Sequence, residues 1–556
     1  MTSSPLNEKQ KFRIEEFKKK EMEDLTQILS QKYGLPYINL SQIPVQLDAL
    51  KIIPEEKARK GYLAAFHKIG KTLKIIVKNP NLDAAKIILD GLKSDGYKPE
   101  LFLGSENSLE KTWSYYKDVP IYIEAKSGII EISTEKISAF ASSLTSIETF
   151  KETFKKSLAQ EKRKTTEILE IILATAINIE ASDIHLEPAE NETRLRFRLD
   201  GVLMDILNFS KNFYPFLLSR IKLISELKLN VHDRSQDGRF SVKTKEADIE
   251  TRTSILPGPY GETIVLRILH PKTIAMSFEN LGFQKEVLEM LWNEIKKPNG
   301  MILTTGPTGS GKTTTLYAFL KKINSPKIKI ITIEDPIEYH LPGVSQTQVG
   351  KEKKYDFSNG LKAILRQDPD VIMVGEIRDL DTAETAIHAS LTGHLVFSTL
   401  HTNNAAGTIP RLIDLGVKPN LIGPAVNAAI AQRLVRKLCP ASKIQDAPTE
   451  KEKEILKKII KNMPPNFQKI KSEPKIIWRP KPCPECNNTG YKERIGVFEV
   501  LKIDEKIEKL ISQNSTESEL QKAAEEQGML TMQQDGILKI LEGVTSFDEV
   551  ERVVGF

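Results

Sequence analysis

The residues best suited to chemistry lie in the middle of the chain. Gly306-Pro307-Thr308-Gly309-Ser310-Gly311-Lys312-Thr313 fits the spacing G-x-x-x-x-G-K-[ST] of a phosphate-binding loop. It follows the apolar run Met301-Ile302-Leu303 and opens into a helix-prone run, Thr314 to Leu320. That context, strand then loop then helix, is the one the motif requires. The glycines let the backbone curl so that its N–H groups face phosphate oxygens. Lys312 is then placed to reach the β- and γ-phosphates of ATP. The Thr313 hydroxyl is placed to ligate Mg²⁺, and Thr314 completes the lining.

Three later segments share a second pattern, a largely apolar strand that ends in polar residues. Ile330-Ile331-Thr332-Ile333 ends in Glu334-Asp335, Val371 to Val374 ends in Gly375-Glu376, and Leu395-Val396-Phe397 runs on to His401. Near-continuous apolar strands belong to a parallel sheet covered on both faces. Ligands of such sheets sit at the carboxyl ends of the strands. Glu334, Glu376 and His401 are therefore expected to converge on the phosphate loop. Phosphoryl transfer needs a held Mg²⁺, an oriented water and cations for the developing charge. Glu376 suits the Mg²⁺ shell, Glu334 the water (with Glu338 in reserve), and His401 or His394 a hydrogen bond to the γ-phosphate.

The elements that must position these groups divide the chain into five parts. Residues 1–116 read as a small α/β domain after a charged helix, with a strand at Leu73–Val77 and a helix at Asn81–Leu92. Residues 117–164 are rich in Ser and Thr and read as a linker. Residues 165–272 read as a second α/β unit, with helices at Glu167–Glu180 and Tyr214–Leu227. Its Asp200-Gly201 is a hairpin turn signal between two strand-like runs. Residues 273–437 hold the nucleotide motifs, and residues 438–556 form a module with all three cysteines and terminal helices.

The residues around the loop carry a family resemblance. Ile333-Glu334-Asp335-Pro336-Ile337-Glu338 resembles the aspartate box of secretion ATPases. Asp370 to Asp379 resembles their atypical Walker B segment, and Thr392-Gly393-His394 through Thr402 their histidine box. Ala181 to His185, Arg196 to Gly201 and Gln236 to Arg239 resemble further signatures of the same family. The set is similar to the type IV pilus assembly and type II secretion ATPases over nearly the whole chain.

The resemblance implies an α/β fold. A RecA-like ATPase domain is preceded by a PAS-like domain and a small N-terminal docking domain, and followed by the cysteine module. It implies ATP hydrolysis coupled to mechanical work by a homohexamer, with ATP and Mg²⁺ as ligands. Arginines of the second unit are expected to meet the γ-phosphate, with Arg198 first and Arg239 and Arg267 after it. The implied partner is an inner-membrane platform or docking protein. Pilus assembly is the leading expectation and a secretion pseudopilus the alternative. A DNA-translocating motor or a non-hydrolysing ATP-binding scaffold stands further off. Some relatives bind cyclic di-GMP through a preceding segment, and its repeat is not found here.

Cys483-Pro484-Glu485-Cys486 resembles half of a zinc knuckle. Relatives supply the other half from a second C-x-x-C, but here that segment reads Cys439-Pro440-Ala441-Ser442. Serine is a poor zinc ligand beside thiolates. Two readings stay open: a three-thiolate site at Cys439, Cys483 and Cys486, or a metal-free remnant.

Composition sets the bounds. The chain has 556 residues, 40% hydrophobic and 28% charged, enough apolar content for packed cores. Its net charge of +6 is small for that size and demands no nucleic acid partner. No apolar run approaches the ~20 residues of a bilayer-spanning helix. The polar start, Met1 to Lys20, lacks the apolar core of a secretory signal, so the expected location is the cytoplasm. Three cysteines fit a reducing compartment.

Overall fold

Strands that alternate apolar and polar residues, and strands that are apolar throughout, end up in different sheets of this chain. The computed structural model describes residues 8–40, 45–50, 52–94, 96–117, 129–131, 147–158, 165–244, 248–270, 276–350, 355–467 and 474–556. It divides into two units, Met1–Glu124 and Ala125–Phe556.

The first unit contains helix α1 (Glu8–Tyr33), strands β1 (Leu63–Ile69) and β2 (Thr72–Val77), helix α2 (Asp83–Ser94), strand β3 (Lys98–Leu103) and helix α3 (Glu106–Ser114). β1 and β2 are antiparallel. β2 and β3 are parallel, with α2 as the crossover that parallel pairing requires. Leu63, Ile75, Val77, Leu109 and Trp113 close its core.

In the second unit, the first sheet holds β4 (Ile129–Glu131), β5 (Asp183–Pro188), β6 (Glu192–Leu199), β7 (Val202–Ser210), β8 (Gln236–Lys243), β9 (Asp248–Leu256) and β10 (Thr263–Ile268). Their order is β4-β8-β9-β10-β5-β6-β7. All pairs but β4–β8 are antiparallel. Helices α4 (Ile147–Leu158), α5 (Thr165–Asn178) and α6 (Tyr214–Ile224) accompany this sheet. β6 shows the period of two: Thr193, Leu195, Phe197 and Leu199 point inward, so Arg194, Arg196 and Arg198 point out. Asp200 and Gly201 join β6 to β7 with φ of 48° and 84°. Positive φ at both central residues is what a tight hairpin turn needs, and Asp-Gly is suited to it. β9 has the same alternation through Ile249, Thr251, Thr253 and Ile255, and the sequence reading passed over it.

The expected linker, 117–164, is more than a linker. Its helix α4 buries Phe150 and Phe154 completely. Their rings lie 5.9 Å from Phe197 and 5.8 Å from Phe209, centroid to centroid. Two phenylalanines four residues apart share one helix face, and that pair outweighs the polar composition around it. Residues 118–128, 132–146 and 159–164 lie outside the described residues.

The second sheet holds β11 (Gly300–Thr305), β12 (Ile330–Glu334), β13 (Ser345–Gln348), β14 (Val371–Val374), β15 (Leu395–Leu400), β16 (Val426–Leu438) and, after the short pair β17 (Ile444–Asp446) and β18 (Ile477–Arg479), β19 (Tyr491–Lys502). The order is β13-β12-β14-β15-β11-β16-β19. It is parallel from β13 to β16, and β19 is antiparallel to β16. Helices α7 (Lys312–Ile323), α8 (Phe357–Ile364) and α9 (Leu380–Leu391) are among the crossovers, and helices at Thr408–Asp414 and Pro419–Ala425 lead from β15 to β16. Every residue of β11, β12, β14 and β15 is buried, which explains their largely apolar pattern.

β19 begins well past 438, where the sequence placed a separate module, yet it pairs with β16 from Ala428–Lys502 to Leu438–Tyr491. Val497 and Leu501 enter the same core as Met301, Leu303 and Ile372. A strand contributed from that far along cannot be inferred from local pattern. Among the described residues no helix is long and apolar enough to cross a membrane.

Truncating Phe150 to Ala should therefore cost about 3–5 kcal/mol in the first sheet's core, the usual penalty for emptying a buried aromatic site. Chemical denaturation of the full chain, followed by hydrogen exchange at β6 and β7, reads it out. Unchanged protection there would return the segment to linker status.

Candidate functional site

β11 lies between β15 and β16, parallel to both, so the chain leaving Thr305 emerges between two other carboxyl ends. Gly306, Gly309 and Gly311 have φ of 144°, 79° and 90°, a left-handed path that side-chain-bearing residues resist. Gly306 also has no room for a side chain. A Cβ there would sit 2.6 Å from the Gln432 carbonyl oxygen and 2.7 Å from Ser310 Oγ. Gly311 caps the start of α7, and its first residue is Lys312. The N–H groups of that first turn have no helical partner and favour an anion.

Two observations show that the loop fits the phosphates of ATP. Lys312 is nearly buried, and its Nζ donates to the carbonyls of Gly306 (2.8 Å) and Pro307 (3.1 Å), folded back over its own loop. Burial lowers its pKa, so a negative ligand would relieve it. Ser310 Oγ is buried in the loop without a described partner. Thr313 is exposed at the helix start, open to an ion.

Glu376 follows β14 and faces the same place. Arg378 pairs with it, and His401 Nε2 lies 3.7 Å from its Oε2. Burial, and then the Lys312 ammonium, push the His401 pKa below the usual histidine value, so the ring is neutral at pH 7. A neutral ring can donate to a phosphate through one nitrogen and accept through the other. Lys312, Glu376 and His401 are thus gathered at the carboxyl ends of three adjacent strands.

Two groups that the sequence reading did not single out join them. Arg378 is one. The other is Arg433, just past the level where β11 gives way to the loop. A Cβ on Gly306 would lie 3.1 Å from its Nη1. Its signal was in the sequence, since Ala428 to Ala431 is another apolar run that ends in polar residues, Gln432-Arg433.

Other expected residues are elsewhere. Glu334 is buried and takes hydrogen bonds from the Tyr317 hydroxyl, from Thr332 Oγ1 (2.5 Å) and from Gln346 Nε2 (3.1 Å). None of these partners belongs to the phosphate loop. Glu338 meets Arg252 Nη1 at 2.9 Å, while Arg252 Nη2 donates to the Ile337 carbonyl at 2.9 Å. Arg252, on β9, thus ties the first sheet to the segment following β12. The sequence carried no signal for it beyond an arginine on the outward face of a strand. His394, the alternative to His401, is at the amino end of β15, with Nδ1 3.0 Å from the Ala389 carbonyl. It finishes helix α9 and stands at the wrong end of the strand for the phosphate loop.

The three expected arginines separate as well. Arg198 and Arg267 share one carboxylate, Asp183, at 3.3 and 3.0 Å. Arg239 is mostly exposed, with Glu250 at 3.9 Å. Within this chain none of them has a described bond to the loop.

The cysteines form a second cluster. Cys439 and Cys483 sulfurs are 3.7 Å apart, and those of Cys483 and Cys486 3.4 Å. All three lie within 4.8 Å of one another. Thiolates at ~2.3 Å from a tetrahedral zinc would be roughly 3.8 Å apart, so the donor set fits three corners of such a site. Ser442 stands beside them. Its single proton has three takers, the Lys481 carbonyl at 2.6 Å and the Cys483 and Cys439 sulfurs. That hydroxyl, followed by the Cys486 hydrogen bonds, draws the Cys483 thiol down to about 7, whereas burial pushes Cys439 up.

Comparison with known proteins follows the same lines. A family model described as "Type II/IV secretion system protein" matches residues 159–552. The type IV pilus assembly ATPase PilB of Myxococcus xanthus (strain DK1622) is 35% identical over 530 residues, covering 95% of this chain and 90% of that protein. Type II secretion system protein E of Aeromonas hydrophila is 44% identical over 386 residues, covering 69% and 75%. Among solved structures, the Legionella pneumophila ATPase DotB superposes with a TM-score of 0.50 at 22% identity, covering 71% of this chain and 97% of that one. That likeness supports the RecA-like fold.

Two outcomes test the cysteine cluster. In chain stripped of metal, alkylation of Cys483 should rise with pH through a midpoint near 7, since only the thiolate reacts. Ser442→Ala, which removes the stabilising hydroxyl, should move that midpoint upward. Ser442→Cys supplies a fourth thiolate and should hold close to one zinc per chain by elemental analysis, with a higher melting temperature. A Ser442→Cys chain that takes up no zinc would make the cluster a packed remnant.

Proposed function

The chain belongs to the type II/IV secretion system protein family, and from that premise we propose that it is an ATP-hydrolysing hexameric motor that powers type IV pilus assembly at the inner membrane. The observation that carries the hydrolytic reading is the convergence of Lys312, Glu376 and His401 on a glycine-built phosphate loop. A scaffold that binds ATP for structure alone has no need of a carboxylate and a neutral imidazole beside the loop. Support for pilus assembly comes from extent. The similarity to PilB runs through 95% of this chain, whereas that to the secretion protein E covers 69%. The higher identity of the latter, 44% against 35%, keeps a secretion pseudopilus as the second reading.

The residues suggest how the site works. The N–H groups of 308–313 and the Lys312 ammonium hold the β- and γ-phosphates, with Lys312 exchanging its Gly306 and Pro307 carbonyls for phosphate oxygens. Thr313, and Glu376 through water, would hold Mg²⁺, which neutralises charge on the phosphates. His401 donates to the γ-phosphate, and its pairing with Glu376 changes when that phosphate leaves.

Of the two carboxylates expected to orient the attacking water, the packing favours Glu338. Glu334 already has three donors, while Glu338 has Arg252 and remains one-third exposed. Arg239, the most exposed of the three expected arginines, is the best placed to reach a neighbouring subunit, ahead of Arg198 and Arg267. The proposed partner is an inner-membrane platform protein, reached without a membrane-crossing helix among the described residues. No nucleic acid partner is proposed.

Lys312→Ala should abolish turnover and weaken ATP binding, and near-normal steady-state hydrolysis would reject the site. Glu376→Gln and Glu338→Gln should retain ATP binding and lose about 10²-fold or more in kcat, the usual loss of an electrostatic or proton-accepting group. Glu334→Gln should chiefly lower the melting temperature. If Glu334→Gln is instead the dead variant and Glu338→Gln the active one, the water belongs to Glu334.

A further inference from the structure

A half-buried arginine beside a phosphate loop needs a counter-charge, and Arg433 has none at hand. It lies on β16, whose register with β11 pairs Thr305 with Ala431. The next residues, Gln432 and Arg433, therefore run alongside the start of the loop. Gln432 turns inward and accepts from Thr315 Oγ1 at 2.7 Å, which fixes the strand against α7. The Arg433 guanidinium donates to two carbonyls, Gln432 (3.1 Å, from Nη1) and Asn403 (3.1 Å, from Nη2). Among the described residues it has no carboxylate at ion-pair distance. Glu499 acts on it from farther off, and that carboxylate is itself deeply buried and accepts from the Ala405 N–H at 2.9 Å.

The electrostatic consequence is unfavourable in the ligand-free chain. Burial lowers the pKa of Arg433, with Glu499 partly offsetting it, and burial and then the Arg433 charge lower that of Lys312 against the pull of Glu376. Two cations thus face the first glycine of the loop, with one nearby carboxylate, Glu376, which Arg378 already pairs. A buried cation left without a counter-ion is costly unless an anion completes the site. Arginine is suited to phosphate because its planar fork offers paired donors and stays charged.

The geometry points to Arg433 as a second cation, supplied by the same subunit, that binds the phosphate chain of the nucleotide together with Lys312. This deepens the phosphate-loop reading and rests on it. Its link to Asn403 adds a consequence. Asn403 is two residues past His401, so a guanidinium drawn to phosphate loosens or tightens the segment that carries that histidine.

The test uses the full chain with Mg²⁺ and measures affinity for a non-hydrolysable ATP analogue, for ADP, and for inorganic pyrophosphate as competitor. Pyrophosphate isolates the phosphate chain from the base. Arg433→Gln keeps a side-chain amide for the backbone carbonyls and removes the charge. It should weaken all three ligands by about 10–100-fold, the range for a charged hydrogen bond. Arg433→Lys keeps the charge without the fork and should recover part of that loss. If Arg433→Gln melts lower but binds all three as wild type does, the residue is only a tie for the 401–404 segment and the inference is overturned. Separately, wild-type chain that binds none of the ligands, or Lys312→Ala chain that binds them all normally, would bring down the phosphate-loop reading itself.

Discussion

The second sheet depends on one constraint: strand β11 must run parallel between β15 and β16, buried along its whole length, with its polar side chains, Thr304 and Thr305, held back to the carboxyl end. Parallel neighbours bring their carboxyl ends to one edge, and only there does the chain become free to carry polar groups. Everything gathered at the site arrives by this route. Lys312 follows β11, Glu376 follows β14, His401 follows β15, and Arg433 sits on β16 at the level of the loop. His394 illustrates the converse. It is one residue before β15, hence at the opposite edge, and its ring finishes a helix instead of facing a ligand.

Charge is distributed around that edge so that the loop stays electropositive. Lys312 folds onto backbone carbonyls, which carry partial charge only, and Arg433 does the same. The carboxylates that would neutralise them are committed elsewhere. Glu376 is paired with Arg378, Glu338 with Arg252, and Glu334 is buried among three neutral donors. Positive charge held in place beforehand needs little reorganisation when phosphate arrives, which is the condition under which electrostatic stabilisation is most effective.

Polar contacts link the first sheet to the nucleotide sheet. Arg252 reaches from β9 to Glu338 and the Ile337 carbonyl. The Asp200-Gly201 turn lies beside Arg494 at the start of β19, and burial there pushes the Asp200 carboxyl up while Arg494 draws it down. β19 in turn begins at the cysteine cluster, where the Gly490 N–H donates to Cys486 Sγ at 3.1 Å. Polar contacts of this kind are remade more easily than a packed apolar face.

Local chemistry made much of this protein legible from sequence. The phosphate loop declares itself because glycine spacing, a preceding apolar strand and a following helix are all local features. The carboxyl-edge positions of Glu376 and His401 follow from apolar runs whose ends can be read directly. The Asp200-Gly201 hairpin is likewise a matter of two adjacent residues that tolerate positive φ. What the tertiary structure decided is which way side chains at those positions turn and which distant segment meets them. Glu334 stands at the expected strand end, yet Tyr317 and Gln346, from α7 and β13, capture its carboxylate. Arg198 and Arg267 share Asp183 because β5 lies between β6 and β10. β19 joins β16 across more than fifty intervening residues, and Phe150 and Phe154 find a core that nothing in their own polar surroundings announces. Periodicity records which face of an element is apolar; only packing, a sum over contacts distant in sequence, determines what that face meets.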